Sequence, residues 1–180
     1  IVNLIARSKA ETQEERIADA ARQIEGAFSL VITTNDSLVG VRDPQGFRPL
    51  CLGKTENGYV LSSESCAFDA IKAEFIRDID PGEMVIIDDR GVRSTIYAEP
   101  QKIDKKLCVF EYIYFARSDS KIDGQSVYET RLNMGRELYN ETKYDADIVM
   151  SIPDSGTTAA LGYARASGIP FAEGLIKNRY

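Results

Sequence analysis

The sequence contains no histidine and no tryptophan. Without histidine these residues cannot build a Ser-His-Asp triad, a Cys-His pair or the usual histidine-bearing zinc sites. Any general acid or base among them must be a carboxylate, lysine, tyrosine or cysteine. Cysteine is scarce as well: Cys51, Cys66 and Cys108 stand far apart, with no CxxC pair. An odd, unpatterned set suits a reducing compartment, and each thiol reads first as a small buried hydrophobe. Long apolar runs are missing, and none approaches the roughly 18 residues that a membrane-spanning helix requires. The opening residues IVNLIARSKAE have no basic stretch ahead of an apolar one and no small-residue cleavage site, so they do not read as a signal peptide. These absences point to a cytoplasmic protein that does not engage a membrane. A basic surplus is also lacking. Net charge is −6, which argues against a chain that wraps nucleic acid but leaves room for a small local anion site.

What is present is an ordinary globular mixture in 180 residues, enough for one full domain or two small or partial ones. Residues 1–98 read as mostly antiparallel strands with some helix. Ile1 to Arg7 resembles the tail of a helix without a cap ahead of it. Thr12 followed by Glu15 is a capping box, opening a helix with Ile17, Ala20, Ala21 and Ile24 on one face. AFSLVITT (27–34) and LVGVR (38–42) read as strands around an NDS turn. LCLG (50–53) and YVLSS (59–63) flank ENG, a hairpin signal. Glu64 to Ala73 is a short helix, and EFIRDI, MVIID and VRSTIYA give three more strands separated by DPGE and DRG.

Residues 99–106, EPQKIDKK, are polar and charged and form the best linker candidate. Beyond them the grammar changes. Ser126 to Lys143 predicts a long helix with Val127, Leu132, Leu138 and Tyr139 as apolar positions. ADIVMSIP (146–153) is almost wholly apolar, as expected for a strand buried on both faces. DSGTTAALGYARASG follows as a turn and a helix ending at Gly168, and IPFAEGLI (169–176) reads as a second strand. Strand, helix, strand in about 30 residues is a βαβ unit and implies a parallel sheet, here about half of one. The expected class is therefore α+β followed by α/β, divided as 1–98, a 99–106 linker and 107–180.

Five stretches can carry chemistry. In SIPDSGTT (151–158), Gly156 lets the backbone approach a ligand, and Ser155, Thr157 and Thr158 set hydroxyls beside the N–H groups of a helix start. That is a phosphate or pyrophosphate site, or simple capping by Asp154 or Ser155. In GLIKNRY (174–180), Lys177, Asn178, Arg179 and Tyr180 sit at a strand mouth, like the beginning of a loop that grips an anion. IIDDRGVRST (86–95) resembles an acidic ribose-binding pair, but no helix start follows, so DDRG reads as a hairpin turn with Gly91 at positive φ. VRDPQGFRPLCLG (41–53) reads as a structural corner in which Arg42 and Arg48 can pair with Asp43 or a neighbouring acid. LCVFEYIYFARSDS (107–120) is rich in aromatics, and the alternation of Phe110, Tyr112 and Tyr114 suggests one face of a strand, or packing core.

In this order the stretches resemble one family, the glutamine phosphoribosylpyrophosphate amidotransferases. RDPQGFRPL and SSESCAFD resemble the late part of its glutamine-hydrolysing domain. CVFEYIYFARSDSKIDGQSVYETRLNMG resembles the junction into its phosphoribosyltransferase domain. IPDSGTTAALGYARASGIPFAEGLIKNRY resembles the start of that second domain. The resemblance implies the C-terminal part of an N-terminal-nucleophile (Ntn) αββα glutaminase domain, then the start of a type I phosphoribosyltransferase domain. It implies transfer of glutamine-derived ammonia to phosphoribosyl pyrophosphate, the first step of purine synthesis, with Mg²⁺ on the leaving group. It implies pyrophosphate-binding roles for Asp154, Ser155, Gly156 and Thr157. It implies a flexible lid beginning at Lys177, Asn178, Arg179 and Tyr180, and an ammonia channel near Tyr112 and Tyr114. Purine nucleotides as feedback inhibitors and a homo-oligomer, usually a tetramer, are implied as well. Cys108 matches the first of four ligands to a [4Fe–4S] cluster found in some members, but one thiolate cannot hold a cluster.

Residue 1 is Ile, so the nucleophilic cysteine of that family is expected upstream, as are the groups that bind glutamine. The acidic pair and 5′-phosphate cradle are expected downstream of Tyr180. The 180 residues are thus expected to form an internal part of such an enzyme, with neither active site complete. The competing reading is a short, non-catalytic regulator of phosphoribosyltransferase-like fold that binds a phosphorylated sugar or nucleotide at DSGTT.

Overall fold

The Thr12 hydroxyl accepts the Glu15 N–H at 3.2 Å and starts a helix, as its capping box predicts. The computed structural model describes every residue, Ile1–Tyr180, and divides into two units, Ile1–Cys108 and Val109–Tyr180. The first unit opens with α1 (Val2–Arg7) and α2 (Gln13–Gln23). Four strands, β1 (Ser29–Thr33), β2 (Leu38–Arg42), β6 (Glu83–Asp88) and β7 (Gly91–Ile96), make an antiparallel sheet in the order β1-β2-β6-β7. β3 (Cys51–Thr55), β4 (Gly58–Ser62) and β5 (Glu74–Asp78) make a second antiparallel sheet, ordered β4-β3-β5. α3 (Cys66–Ile71) lies between β4 and β5 in sequence.

Period-2 alternation sends successive residues of a strand to opposite faces. Met84 and Ile86 join Ile17, Ala18 and Ala21 of α2, with Val39, Val41 and Tyr97, in one cluster. Val85 joins Leu50 and Ile79 in another, with Leu61 and Ile87 packed against it. The central strands β2 and β6 are therefore covered on both faces. Gly40 makes this possible on one side, since a Cβ there would stand 2.9 Å from a Leu61 methyl.

The RDPQGFRP segment is the corner that its Pro and Gly suggest, but its arginine is spent on carbonyls. Arg42, 1% exposed, donates to the carbonyls of Ile79 (2.6 Å), Gly46 (2.8 Å) and Arg48 (3.0 Å). Asp43, 0% exposed, accepts the N–H groups of Gln45 (2.9 Å), Gly46 (2.8 Å) and Phe28 (3.3 Å). Tyr97 donates its hydroxyl to the Arg42 carbonyl at 3.0 Å. Residues 99–106 contain a short 3-10 turn, Pro100–Lys102, and lie on this unit: Ile103 packs on its core, and the Lys106 N–H reaches the Gln45 carbonyl at 2.7 Å.

In the second unit the aromatic stretch departs from expectation. Glu111–Phe115 is a π-helical turn, not a strand. It buries Glu111 and Tyr112 and leaves Phe110, Tyr114 and Phe115 exposed. Arg131 is the reason: from the following helix it donates to the Tyr112 and Ala116 carbonyls and to the Ser118 hydroxyl. A buried guanidinium that needs carbonyl partners has wound this backbone around itself. A two-residue hairpin follows, β8 (Lys121–Ile122) and β9 (Gln125–Ser126), turning at Asp123 and Gly124 with positive φ at both.

α4 (Val127–Glu141) is capped by Ser126, and α5 (Thr157–Ser167) ends at Gly168 in the left-handed region. The two helices pack with their backbones nearly touching. A Cβ at Gly135 would lie 1.9 Å from the Ala159 carbonyl oxygen, and one at Gly162 would lie 2.1 Å from that of Leu132. Tyr139 and Tyr163 meet edge to face beside this crossing, with centroids 5.4 Å apart. The flanking segments 146–153 and 169–176 do not form the full strands expected. They meet in a single parallel bridge, Val149 to Phe171, with N–H bonds from Val149 to the Pro170 carbonyl and from Ala172 to the Val149 carbonyl, both 2.9 Å. Ile148, Met150 and Ile152 are exposed, so the 146–153 segment is not buried on both faces. Each segment has one neighbour here, and a ladder paired on one side only is weakly held.

Asp43→Ala removes the buried carboxylate that accepts three N–H groups and is expected to lower stability by about 3 kcal/mol; urea unfolding with an unchanged m-value would show it. Gly162→Ala forces apart helices whose backbones are in contact and is expected to cost about 3 kcal/mol or more. A measured loss below about 1 kcal/mol would mean that the helices separate easily.

Candidate functional site

The DSGTT turn is shaped by its backbone. Ile152 accepts the Gly156 N–H at 3.3 Å and Asp154 accepts the Thr157 N–H at 3.3 Å. A Cβ on Gly156 would approach the Ile152 carbonyl to 2.8 Å, so the tight approach requires glycine. The turn delivers the N-terminus of α5, where helix N–H groups lack intrahelical acceptors and the macrodipole favours an anion. Buried Ser151 holds its hydroxyl 3.1 Å from that of Thr157, a pair of oriented O–H groups beside that helix end.

A pocket of about 580 Å³ lies here. Its walls bring together several residues singled out in the sequence: Asp154 and Thr157 from the turn, and Lys177, Asn178, Arg179 and Tyr180 from the final segment. Ser155, Gly156 and Thr158 do not line it, and Thr158 is buried. Ser151 and Glu173 line it without having been singled out. Ser151 precedes the turn inside an apolar run, and only the fold turns it inward. Glu173 carries no motif at all. The Asp154 carboxylate takes Lys177 Nζ at 3.8 Å and Arg179 Nη2 at 3.4 Å, both exposed pairs. The Asn178 side-chain oxygen accepts the Tyr180 N–H at 2.9 Å, which curls the final residues.

The other candidates do not line this pocket. Tyr112 is buried and donates its hydroxyl to the Ile122 carbonyl at 2.9 Å. Tyr114 is exposed and leans on the edge of Phe115, with centroids 5.8 Å apart. Asp88 is a hairpin residue as expected: Arg90 and Arg93 hydrogen-bond it and hold its carboxyl well below the usual range, and Asp88 pairs across from Gly91.

Cys108 is half-buried, and no group of three or more His, Cys, Asp or Glu side chains converges on a point in this chain. The residues present therefore do not form a ligand set for an iron–sulfur cluster. Mg²⁺ differs, because it is commonly held by one or two carboxylates together with substrate phosphates. With Asp154 engaged by cations, Glu173 is the carboxylate on the pocket wall that suits such an ion.

None of the buried thiols is poised as a nucleophile. Burial, then the charges of Asp78 and Cys66, push the Cys51 thiol up to about 12, and its S–H points at the Ser62 carbonyl at 3.1 Å. Cys66 is buried beside Glu64. At pH 8, iodoacetamide is expected to label Cys108 first and to reach Cys51 and Cys66 only on unfolding. Rapid labelling of Cys51 in the folded protein, read by peptide mass spectrometry, would contradict its burial.

A family model described as a glutamine amidotransferase domain matches residues 3–70. The amidophosphoribosyltransferase of Synechococcus elongatus is 54% identical over 183 residues, covering 98% of this chain and 36% of that protein. That of Bacillus subtilis is 43% identical over 180 residues, covering 100% of this chain and 37% of that protein. A solved structure of the glutamine phosphoribosylpyrophosphate amidotransferase from B. subtilis, complexed with ADP and GMP, matches with a TM-score of 0.95 at 43% identity, over 99% of this chain and 39% of that one. The mixed α+β architecture of the first unit accords with an Ntn glutaminase fold. No helix is long and apolar enough to cross a membrane. The chain spans about a third to two fifths of the length of the curated relatives it matches. With likeness running the length of the chain in both sequence and fold, it belongs to the amidophosphoribosyltransferase family, as a segment of that length.

Proposed function

We propose that the chain forms part of an enzyme that transfers glutamine-derived ammonia to phosphoribosyl pyrophosphate, giving 5-phosphoribosylamine, pyrophosphate and glutamate. Residues 1–98 belong to the glutamine-hydrolysing part and 107–180 begin the phosphoribosyltransferase part. The observation that carries this reading is the 54% identity to an amidophosphoribosyltransferase across nearly the whole chain.

The pocket supplies what departure of pyrophosphate demands. The N-terminus of α5 and the Ser151 and Thr157 hydroxyls offer hydrogen bonds to phosphate oxygens, with Asp154, Ser155 and Gly156 supplying the backbone of the turn. Lys177 and Arg179 offset the negative charge that grows on the leaving group as the C1–O bond breaks. Glu173 on the pocket wall would face Mg²⁺ carried in with the substrate phosphates, and that ion would supply further charge neutralisation. Lys177, Asn178, Arg179 and Tyr180 begin a lid that excludes water while ammonia attacks. Tyr112 and Tyr114 lie near the ammonia path. The catalytic nucleophile for glutamine is none of the cysteines in this chain, two of which are buried. Purine nucleotides are the expected regulators, in keeping with the ADP and GMP bound to the B. subtilis relative.

An assay of the complete gene product that contains this segment, supplied with glutamine, phosphoribosyl pyrophosphate and Mg²⁺, tests the proposal. Glutamate and pyrophosphate are expected in equal amounts. Glutamine hydrolysis that never releases pyrophosphate would refute it, as would turnover by the 180 residues alone.

A further inference from the structure

Four charged side chains line the candidate pocket: Asp154, Glu173, Lys177 and Arg179. Two of the three partners in its ion pairs are cations, and both converge on one oxygen. Asp154 Oδ2 receives Lys177 Nζ at 3.8 Å and Arg179 Nη2 at 3.4 Å. Arg179 lies 25 residues away in sequence, so the fold makes this meeting. The carboxylate has no part in building the turn. The turn is closed by the Asp154 backbone carbonyl, and α5 has Gly156 at its N-cap with no side-chain cap. A carboxylate on the wall of an anion site is unfavourable for the anion, unless its task is to hold the cations while the site is empty.

We infer that Asp154 is an internal counter-ion. In the ligand-free protein it occupies the two cations that would otherwise receive an anionic oxygen, and an incoming anion must displace it. This rests on the phosphate-site reading given above. Its consequence is selectivity by charge. A ligand with one negative charge returns to Lys177 and Arg179 no more than Asp154 already supplies. A compact polyanion such as pyrophosphate brings several charges and wins the exchange. Both pairs are exposed, and such pairs are individually weak, so the competition is mild: about two- to fivefold in affinity.

Calorimetric titration of the full chain with sodium pyrophosphate, free of divalent metal and at low ionic strength, reads this directly. Asp154→Asn is expected to bind about two- to fivefold more tightly than the parent chain, with the gain shrinking toward none at about 0.5 M salt. Asp154→Ala should move in the same direction, which separates loss of charge from any new amide contact. Lys177→Gln with Arg179→Gln should weaken binding, and adding Asp154→Asn to that pair should then change nothing. Equal or weaker binding by both Asp154 variants would overturn the counter-ion role. If the parent chain still binds and the cation variants still lose affinity, the pocket reading survives that result. No pyrophosphate binding by the parent chain would overturn both. Circular dichroism of each variant guards against misfolding, and the Lys177/Arg179 background supplies the comparison if one Asp154 variant fails to fold.

Discussion

The first unit depends on a buried charge that is fully satisfied. Arg42 and Asp43 sit side by side at the end of β2 with almost no exposure. Each is tolerable only because backbone groups surround it: carbonyls for the guanidinium, N–H groups for the carboxylate. Those backbone groups come from everywhere that matters. Phe28 precedes β1, Gln45 and Gly46 form the corner, Ile79 joins β5 to β6, and Tyr97 follows β7 and closes on the Arg42 carbonyl. One dipeptide thus ties the two sheets and the exit of the unit to the strand at their centre.

The second unit has the opposite economy. Its strength lies in apposition of backbones at Gly135 and Gly162, where glycine gives up helix propensity to let α4 and α5 touch. That contact holds α5, and with it the turn that opens the pocket. The facing wall is weaker: one parallel bridge and a final segment tethered by exposed ion pairs. A rigid helix end opposite a lightly held cationic segment suits binding that orders the segment around an anion, because ordering costs least where few contacts must break.

Much of this was legible in the chain. The capping box at Thr12, the helix start at Ser126, the strands β1, β2 and β6, the hairpin at Asp88 to Gly91, and the Gly168 stop are local signals with local physical causes. The pocket was half legible. DSGTT and KNRY declared themselves by hydroxyls, glycine and cations, whereas Ser151 and Glu173 had no pattern to announce them. The aromatic turn misled because alternation at 110, 112 and 114 suits a strand as well as it suits chance, and the deciding group, Arg131, lies a helix away. The 146–153 run misled because apolar composition records burial in a sheet but not how many neighbours that sheet has here.

By itself, then, the sequence determined the element order of the first unit, the helices α4 and α5 of the second, and the family likeness, since propensity, capping and period act over a few residues. Only tertiary structure decided what Arg42 and Arg131 bind, which glycines separate helices from collision, and that Asp154 meets Lys177 and Arg179 in one pocket. Those outcomes depend on which distant backbone and side-chain groups are brought within hydrogen-bonding reach, and no local pattern encodes that distance.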